Sequence, residues 1–448
     1  MVITTQALYW INSILNERYG LNFILLQNKS SFSLTLGNSS KIITFPNLID
    51  GFYQTNIFLP CSNINLDHEG FTFPVDKVIP APGIVKNIYP LVEYFDSGAQ
   101  INYDILGLTY WMLNRIEEIG STELDNHGRF PATSSHAFKH GYLDRPIVDE
   151  WLFVLGQVIQ RVWPSIEIQK HHFTMKVSHD VDSPSLYAFK PWKTIIRMMG
   201  GHLLKRRDVK ALLQAPFIKI TTGKQLHPQD PHNTFDWIMS LSEKQGLKSA
   251  FYFICGHSSD KDADYIPEDP RIQALMQEIH QRGHEIGLHP SYGTYQKPEL
   301  IYQEAERLRK VCKLAGVEQE TYGGRMHYLR WEHPTTLQAW EDADMSYDTT
   351  LSYADRPGFR CGTCFEYPAF NPLTQKQLNI KIRPLITMEC TIIAERYMNL
   401  GYTEKTFEKF LELKNNCRKM KGCFTLLWHN SHFTNKADFE MYKKVIES

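Results

Sequence analysis

Short apolar runs alternate with helical patterns from about residue 172 onwards, and this alternation constrains the fold more than any other feature. Each run has the length of a strand, and the runs lie at 173–177, 249–254, 285–288, 345–351, 381–390 and 423–428. Between them, residues 271–282 and 300–314 place apolar side chains at helical spacing. Strands connected through helices run parallel, so the pattern predicts a doubly wound sheet or a (β/α) barrel.

Residues 1–170 show a different pattern, which predicts a smaller mixed α/β domain that precedes the barrel. Helical periodicity covers 5–19, 104–119 and 147–162, and β-type runs lie at 23–26 and 41–45. Turn-forming residues cluster at 125–129, where we expect a solvated loop, although its polar side chains could contact a ligand. The chain is therefore divided into an N-terminal domain of unknown role, 1–170, and a barrel, 171–448.

Composition excludes some classes of protein. The chain has 48 Lys and Arg against 49 Asp and Glu, and a net charge of −1 argues against nucleic-acid binding. The start of the chain lacks a signal-peptide pattern, and no apolar run approaches the roughly 18 residues of a transmembrane helix. Eight scattered cysteines fit a reduced compartment, and Cys361 and Cys364 are expected to pack rather than to bind metal. We expect a cytoplasmic protein.

Residues 190–224 form a basic segment with nine Lys or Arg and one acid, Asp208. Apolar residues such as Trp192 and Ile196 interleave with the charges. One interpretation is an amphipathic segment that either lies on the inner face of an anionic membrane or covers a phosphorylated substrate. The other is an inserted helix whose apolar side packs on the barrel. The sequence leaves both open.

Polar residues follow the predicted strands in a regular order. Asp180 and Asp182 follow the first strand, and their spacing places both on one face. Two carboxylates so close together cannot both stay ionised without a compensating cation. A metal bound by one carboxylate would leave the other free to act as a base. Arg325 could clamp a carboxylate. His289 and His429 also end predicted strands, and an imidazole can donate a proton near neutral pH. This repeated coincidence favours a functional site.

The order of these motifs resembles that of the NodB-type polysaccharide deacetylases over roughly residues 172–435. The matching segments are Ser178 to Asp182, Gly283 to Pro290, Gly323 to Tyr328 and Leu426 to His429. The resemblance implies an irregular (β/α)7 barrel and a metal-dependent enzyme that removes an acetyl group from a sugar. It makes Asp180 the base, held by Arg325, and His429 the acid. It makes Asp182 and His289 metal ligands.

Two positions depart from the family pattern. The family has a second metal-binding histidine where this chain has Gly293, and a proline where this chain has His327. A histidine lost and another gained suggest that His327 is the third protein ligand. Three protein ligands and one open position are typical of catalytic zinc, so we expect a divalent metal, Zn²⁺.

The expected function is metal-dependent removal of an acetyl group, with an N-acetyl group preferred, from a sugar or glycan precursor in surface polysaccharide biosynthesis. Candidate walls for the sugar ring are Tyr292, Tyr328, Trp331 and Trp428, and the resemblance adds Asp348. The expected partner is an acetylated sugar on a nucleotide or lipid carrier. Two alternatives stay open: a non-catalytic sugar-binding or glycan-assembly barrel with a degraded metal site, and a metal hydrolase of another C–N bond.

Overall fold

The structure is a computed structural model that describes residues 3–28, 31–46, 50–55, 57–86, 88–201 and 209–448. Lys205, Arg206 and Arg207 of the basic segment lie outside the described residues. Among the helices that the structure describes, none is long and apolar enough to cross a membrane. All eight cysteines are free thiols, and Cys361 and Cys364 are buried.

The N-terminal part combines helices with a five-stranded sheet. Its helices are α1 (Thr5–Tyr19), α2 (Ile105–Leu113), α3 (His136–Lys139) and α4 (Ile147–Val162). Its strands are β1 (Phe23–Gln27), β2 (Ser31–Leu36), β3 (Ile42–Pro46), β4 (Cys61–Asn65), β5 (Val78–Pro82), β6 (Val92–Phe95) and β7 (Gly98–Ile101). The sheet has the order β1-β2-β3-β7-β6, and β4 pairs with β5.

The C-terminal part contains a nine-stranded sheet with helices between the strands. Its strands are β8 (Thr174–Val181), β9 (Ser249–Ile254), β10 (Glu285–His289), β11 (Gly323–Gly324), β12 (Tyr347–Asp348), β13 (Tyr367–Asn371), β14 (Lys376–Ile382), β15 (Thr387–Met388) and β16 (Cys423–Leu427). Its helices are α5 (Trp192–Gly201), α6 (Val209–Thr221), α7 (Phe235–Lys244), α8 (Pro270–Gln281), α9 (Pro298–Leu314), α10 (Thr335–Asp342), α11 (Glu389–Ile393), α12 (Glu404–Lys419) and α13 (Lys436–Glu447).

The strands pair in the order β13-β14-β12-β11-β10-β9-β8-β16-β15. β13 and β14 are antiparallel, and the other neighbours are parallel, as the alternation of strands and helices predicts. Among the described pairings, β13 and β15 stay at opposite ends of the sheet. The structure is thus a mixed α/β fold with a largely parallel sheet, and closure into a (β/α)7 barrel stays a prediction.

Local sequence explains the elements nearest the site. All six residues of β9 are buried, as a continuous apolar run in a covered parallel sheet requires. In α8, Asp269 caps the first turn by accepting from Arg271 N, and Pro270 occupies the position where a missing N–H costs nothing. The two halves of the chain also contact each other, because Trp10 of α1 donates to Pro368 O of β13 at 2.8 Å.

Two predicted elements are broken. The run at 381–390 contains Pro384, which cannot donate to a strand ladder, and the chain forms β14, β15 and α11 instead of one strand. The helix predicted at 104–119 ends at Leu113, because Arg115 adopts a left-handed backbone conformation with φ 48°. The break in the run at 381–390 matters for the site, since Glu389 begins α11 at the edge where the functional residues gather.

Candidate active site

Four strands of the C-terminal sheet, β8, β10, β11 and β16, bring the predicted side chains to one edge of the sheet. Asp180 lies near the end of β8 and Asp182 follows that strand, His289 ends β10, Arg325 follows β11, and His429 lies just beyond β16. Carboxyl ends of parallel strands share one edge, which explains the convergence. All of these residues except Arg325 line a cavity of about 190 Å³.

Arg325 fixes one oxygen of Asp180. The fully buried guanidinium donates to Asp180 Oδ1 at 2.7 Å and to Ser178 Oγ at 2.8 Å. The paired glycines let the backbone come close enough, because a Cβ on Gly324 would lie 1.9 Å from Leu288 O. Asp180 Oδ2 stays directed toward the cavity, 3.6 Å from His289 Nε2.

Asp182, His289 and His327 form a group whose donor atoms could hold a metal ion. Asp182 Oδ1 lies 3.4 Å from His289 Nε2 and 3.8 Å from His327 Nε2. Two ligands at about 2.0–2.1 Å from a tetrahedral zinc lie about 3.3 Å apart, so the spacing is near that of a zinc site. Within the described part of the chain, Asp182 Oδ1 and His289 Nε2 are buried without a hydrogen-bond partner. Such orphaned atoms fit a cation.

Hydrogen bonds on the far side of both rings orient their Nε2 atoms toward Asp182. His289 Nδ1 lies 2.6 Å from Arg325 O, and His327 Nδ1 lies 3.1 Å from Asp262 Oδ1. Each Nδ1 therefore carries the proton, which leaves the Nε2 lone pair for a ligand. Asp262 lies in the loop after β9, and its pKa is lowered to about 2, because hydrogen bonds from His327 and backbone amides outweigh its burial.

The electrostatics favour a carboxylate at Asp182. Burial opposes its ionisation, but His327, His289 and His429 hold its pKa well below the usual range. In the absence of a cation, Asp180 and Asp182 also raise the pKa of buried His289, against the effect of its own burial. The group therefore holds negative charge at Asp182 at neutral pH, where a divalent cation would be attracted.

The backbone at Gly293 has no room for the histidine that the family pattern places there. A Cβ on Gly293 would lie 2.8 Å from both Cβ and Oγ of Ser258. Ser258 Oγ also accepts a hydrogen bond from Gly293 N at 2.7 Å. The imidazole of His327 reaches Asp182 from the neighbouring loop instead. Its role as the third ligand stays a prediction that this geometry supports.

A second group of polar side chains, Glu389, His429 and His432, lies next to Asp180 and Asp182. His429 Nδ1 lies 2.5 Å from Glu389 Oε1, and His432 Nδ1 lies 2.6 Å from the same oxygen. These are hydrogen-bond distances, and an ion held between such atoms would push them further apart. His429 Nε2 points back to the cavity, 4.0 Å from Asp180 Oδ2 and 3.8 Å from Asp182 Oδ2.

Glu389 keeps His429 protonated. Burial alone would lower the pKa of His429, but the Glu389 charge and hydrogen bond, with Asp182 and Asp180, raise it to about 9. In turn, His429 and His432 hold the pKa of buried Glu389 well below its usual range. An imidazolium next to the cavity at neutral pH is suited to donate a proton.

The N-terminal part contributes to the mouth of the cavity, which corrects the expectation of a solvated loop at 125–129. Arg129 is buried, lines the cavity, pairs with Asp125 at 2.7 Å and donates to Tyr328 O at 2.8 Å. His127 Nδ1 lies 3.0 Å from the hydroxyl of Tyr292. The loop packs against the segment after His327 and is only partly exposed to solvent.

The expected sugar-contacting residues divide into two sets. Tyr328 lines the cavity, and Tyr292 lies against it with ring centroids 5.3 Å apart. The other three, Trp331, Trp428 and Asp348, are almost fully buried and lie outside the cavity lining. The sequence did not separate the two sets, because a residue next to a strand end can face either the core or the mouth of the cavity. Asp348 accepts from Thr350 N at 2.8 Å, and burial raises its pKa to about 6.

Sequence reasoning missed Asp262, Glu389, His432 and the packing of Arg129. Two weak signals existed. Glu389 is a charged residue near the end of the run at 381–390, and His432 follows His429 by three residues. Asp262 had no signal, because it lies in a long loop and acquires its role only through contact with His327.

Comparison with known proteins gives limited similarities. Residues 2–164 match a family described as a family of unknown function, DUF7033. No curated protein matches the chain. A candidate polysaccharide deacetylase from Mycobacterium smegmatis is 14% identical, with a TM-score of 0.40, over 62% of this chain and 84% of that chain. The Puue allantoinase is 11% identical, with a TM-score of 0.37, over 64% of this chain and 85% of that chain.

Proposed function

We propose that this chain is a metal-dependent hydrolase that removes an acetyl group from the nitrogen of a sugar. One observation carries the proposal. Asp180 Oδ2 and His429 Nε2 lie 4.0 Å apart, and both face the group formed by Asp182, His289 and His327. A held carboxylate and a protonated imidazole beside a cation site are the parts that amide hydrolysis requires.

The roles follow from the hydrogen bonds. Asp182, His289 and His327 would hold the cation, which when bound supplies positive charge that favours attack of water on a carbonyl. Arg325 holds Asp180 Oδ1, so Asp180 Oδ2 accepts a proton from the attacking water. His429 Nε2 then donates its proton to the amide nitrogen as the C–N bond breaks. The products are acetate and a free amino sugar.

Glu389 supports both stages of proton transfer. Its carboxylate keeps the proton on His429 at neutral pH, and its hydrogen bond to Nδ1 directs Nε2 at the cavity. After His429 gives up its proton, the same hydrogen bond keeps the neutral ring in the tautomer whose Nε2 can be protonated again.

The size of the cavity supports a small acyl group. About 190 Å³ lies below the roughly 300–1,000 Å³ of sites that enclose a whole small ligand. We infer that the cavity takes the acetyl group and part of the sugar, while the rest of the substrate extends past Tyr328, Arg129 and Arg396 at the mouth. A nucleotide- or lipid-linked sugar is the proposed substrate class, and the resemblance of the sequence motifs to those of sugar deacetylases supports the sugar part of this proposal.

Metal analysis combined with acetate release tests the proposal. The purified chain should contain close to one equivalent of a divalent metal and release acetate from a member of a panel of N-acetylated sugars, sugar nucleotides and glycans. Asp180→Asn should keep the metal and lose acetate release. Asp182→Asn and His289→Ala should lose the metal. A matched control is Asp260→Asn, which changes a highly exposed carboxylate in the same loop as Asp262.

The outcomes separate the alternatives. Equal metal content in the Asp180, Asp182 and His289 variants would contradict the assignment of base and ligands. A stoichiometric metal in His327→Ala would show that His327 is not a ligand. A wild-type chain that binds sugar but holds no metal and releases no acetate would be the non-catalytic barrel instead.

A further inference from the structure

Helices α5 and α6 present an apolar stripe to solvent. Six large apolar side chains on these helices are exposed, from 48% at Trp192 to 70% at Ile220, and they are Trp192, Ile196, Val209, Leu213, Phe217 and Ile220. At 100° per residue, the four on α6 fall within about 80° of one another around the helix axis. The four side chains on α6 therefore form one continuous face rather than scattered exposed residues, and Trp192 and Ile196, four residues apart on α5, also share a face.

The opposite side of this helix pair is already packed. Ile195, Ala215 and Ile218 are buried with Tyr187 in a small cluster that is separate from the main core. Lys219 Nζ donates to Ala188 O at 2.6 Å and holds α6 against the segment that leads into α5. Because the inner side of the helices already has its packing partners, the exposed stripe is not needed for the fold.

Cations flank the stripe. Four basic side chains of the segment are exposed, and they are Lys193, Arg197, Lys210 and Lys224. None of them forms an ion pair among the residues that the structure describes, and residues 184–201 and 209–229 contain no acidic residue. An apolar face bordered by unpaired cations has the chemistry of a helix that lies in the headgroup region of an anionic bilayer.

We propose that α5 and α6 form a docking surface for an anionic lipid bilayer. A second copy of the same face is disfavoured, because it would bring the unpaired cations of both copies together. A nucleic acid would engage the cations but leave six large apolar side chains without a partner. A bilayer satisfies both, since the aliphatic side chains enter the headgroup boundary and Trp192 takes the interfacial position that Trp prefers.

The insertion that carries this surface begins and ends beside the candidate active site. The helix pair is inserted between β8 and α7, and the segment before it begins directly after Asp182. Asn430, next to His429, donates to Ser183 O at 3.0 Å and to His232 O at 2.9 Å, so both ends of the insertion are fixed beside the cavity. The docking itself does not depend on the proposed hydrolase activity.

Vesicle binding by the full chain tests this proposal. The wild type should co-sediment with vesicles of phosphatidylcholine mixed with phosphatidylglycerol, less with phosphatidylcholine alone, and less again at high salt. Leu213→Gln with Phe217→Gln should lower the partition coefficient at least about tenfold. Lys193→Glu with Arg197→Glu should lower it by about fivefold or more for each charge. Metal content and acetate release from a soluble substrate should not change.

Matched controls lie on α9, away from the stripe. Leu314→Gln changes an equally exposed leucine, and Lys310→Glu with Lys313→Glu changes two exposed cations; both should bind like the wild type. The proposal is wrong if the wild type does not bind anionic vesicles. It is also wrong if the control variants lose as much vesicle binding as the α5 and α6 variants. It is also wrong if the stripe variants abolish a concentration-dependent dimer instead, since a second copy would then occupy the face.

Discussion

The substitution Asp262→Asn tests whether the metal group depends on a carboxylate that lies outside it. Asp262 receives five hydrogen bonds. Oδ1 accepts from Tyr292 N at 2.7 Å and from His327 Nδ1 at 3.1 Å. Oδ2 accepts from Ser258 N at 2.8 Å, Ser258 Oγ at 3.1 Å and Ser259 N at 2.8 Å. Every partner is a donor, so the site requires two acceptor oxygens.

Asparagine supplies one acceptor and one NH₂ group. Whichever way the amide is turned, its nitrogen faces at least two donors, so His327 or the Ser258 backbone loses its partner. Loss of an outer carboxylate from a metal-binding histidine weakens metal affinity by about 10- to 100-fold, or roughly 1.4–2.7 kcal/mol. We expect a fall in zinc affinity of that size, together with a lower Tm of the metal-free protein.

Competition with a chromophoric chelator measures the zinc affinity, and circular dichroism verifies the fold at the same temperature. The exposed neighbour Asp260→Asn should match the wild type in both measurements. If Asp262→Asn stays folded and binds zinc within twofold of the wild type, then Asp262 does not orient a ligand. His327 would then have to be removed from the proposed metal group.

Three further changes test other parts of the structure. Glu389→Gln removes the charge that raises the pKa of His429, so the NMR titration of His429 should move from about 9 toward its ordinary value. Gly293→Ala should cost about 1–3 kcal/mol in urea denaturation, because its Cβ would lie 2.8 Å from Ser258. Burial raises the pKa of Asp104 from 3.8 to about 7, so native stability is lost as pH rises through this range. The free energy of unfolding of Asp104→Asn should therefore rise relative to that of the wild type as pH increases from about 4 to 7, by at most about 4 kcal/mol.

Each of these predictions has a contradicting result. An unchanged titration of His429 in Glu389→Gln would remove Glu389 from proton transfer. Gly223→Ala is the control for Gly293→Ala, since a Cβ there meets nothing within 4 Å. Equal costs at the two glycines would show that the loop near Ser258 is not tight. A pH-independent difference between wild type and Asp104→Asn would mean that Asp104 does not titrate in that range.

Periodicity predicted the elements whose identity is set within a few turns of chain. The helices 5–19 and 147–162 and the strand 249–254 have the predicted bounds, because one apolar face or one buried run determines each of them. The sheet class also followed from local pattern, since helices between strands force parallel pairing. Pro384 is present in the predicted strand run at 381–390. Its effect depends on whether that run lies at the edge of the sheet, which the sequence does not determine.

The site was predictable to the extent that strand ends are predictable. Asp180 and His289 lie at the ends of β8 and β10, His429 follows β16, and the order of strands in the sheet brings them together. Asp262 and Glu389 could not be predicted, because their roles arise from contacts across 65 and 40 residues of sequence. A hydrogen bond to the far side of an imidazole produces no periodic pattern in the sequence. The charge that shifts a histidine's pKa produces none either.

The N-terminal part belongs to the site physically, whatever its evolutionary origin. His327 is followed by Tyr328 and Leu329, which both have left-handed backbones, with φ 61° and 55°. Such conformations cost roughly 1–3 kcal/mol each in a residue with a side chain, so the surrounding structure must hold them. Arg129 helps to hold this turn by donating to Tyr328 O. Arg330, the residue after Leu329, is held by its own hydrogen bond to His127 O at 2.7 Å. The turn that aims His327 at Asp182 is thus held from the other half of the chain.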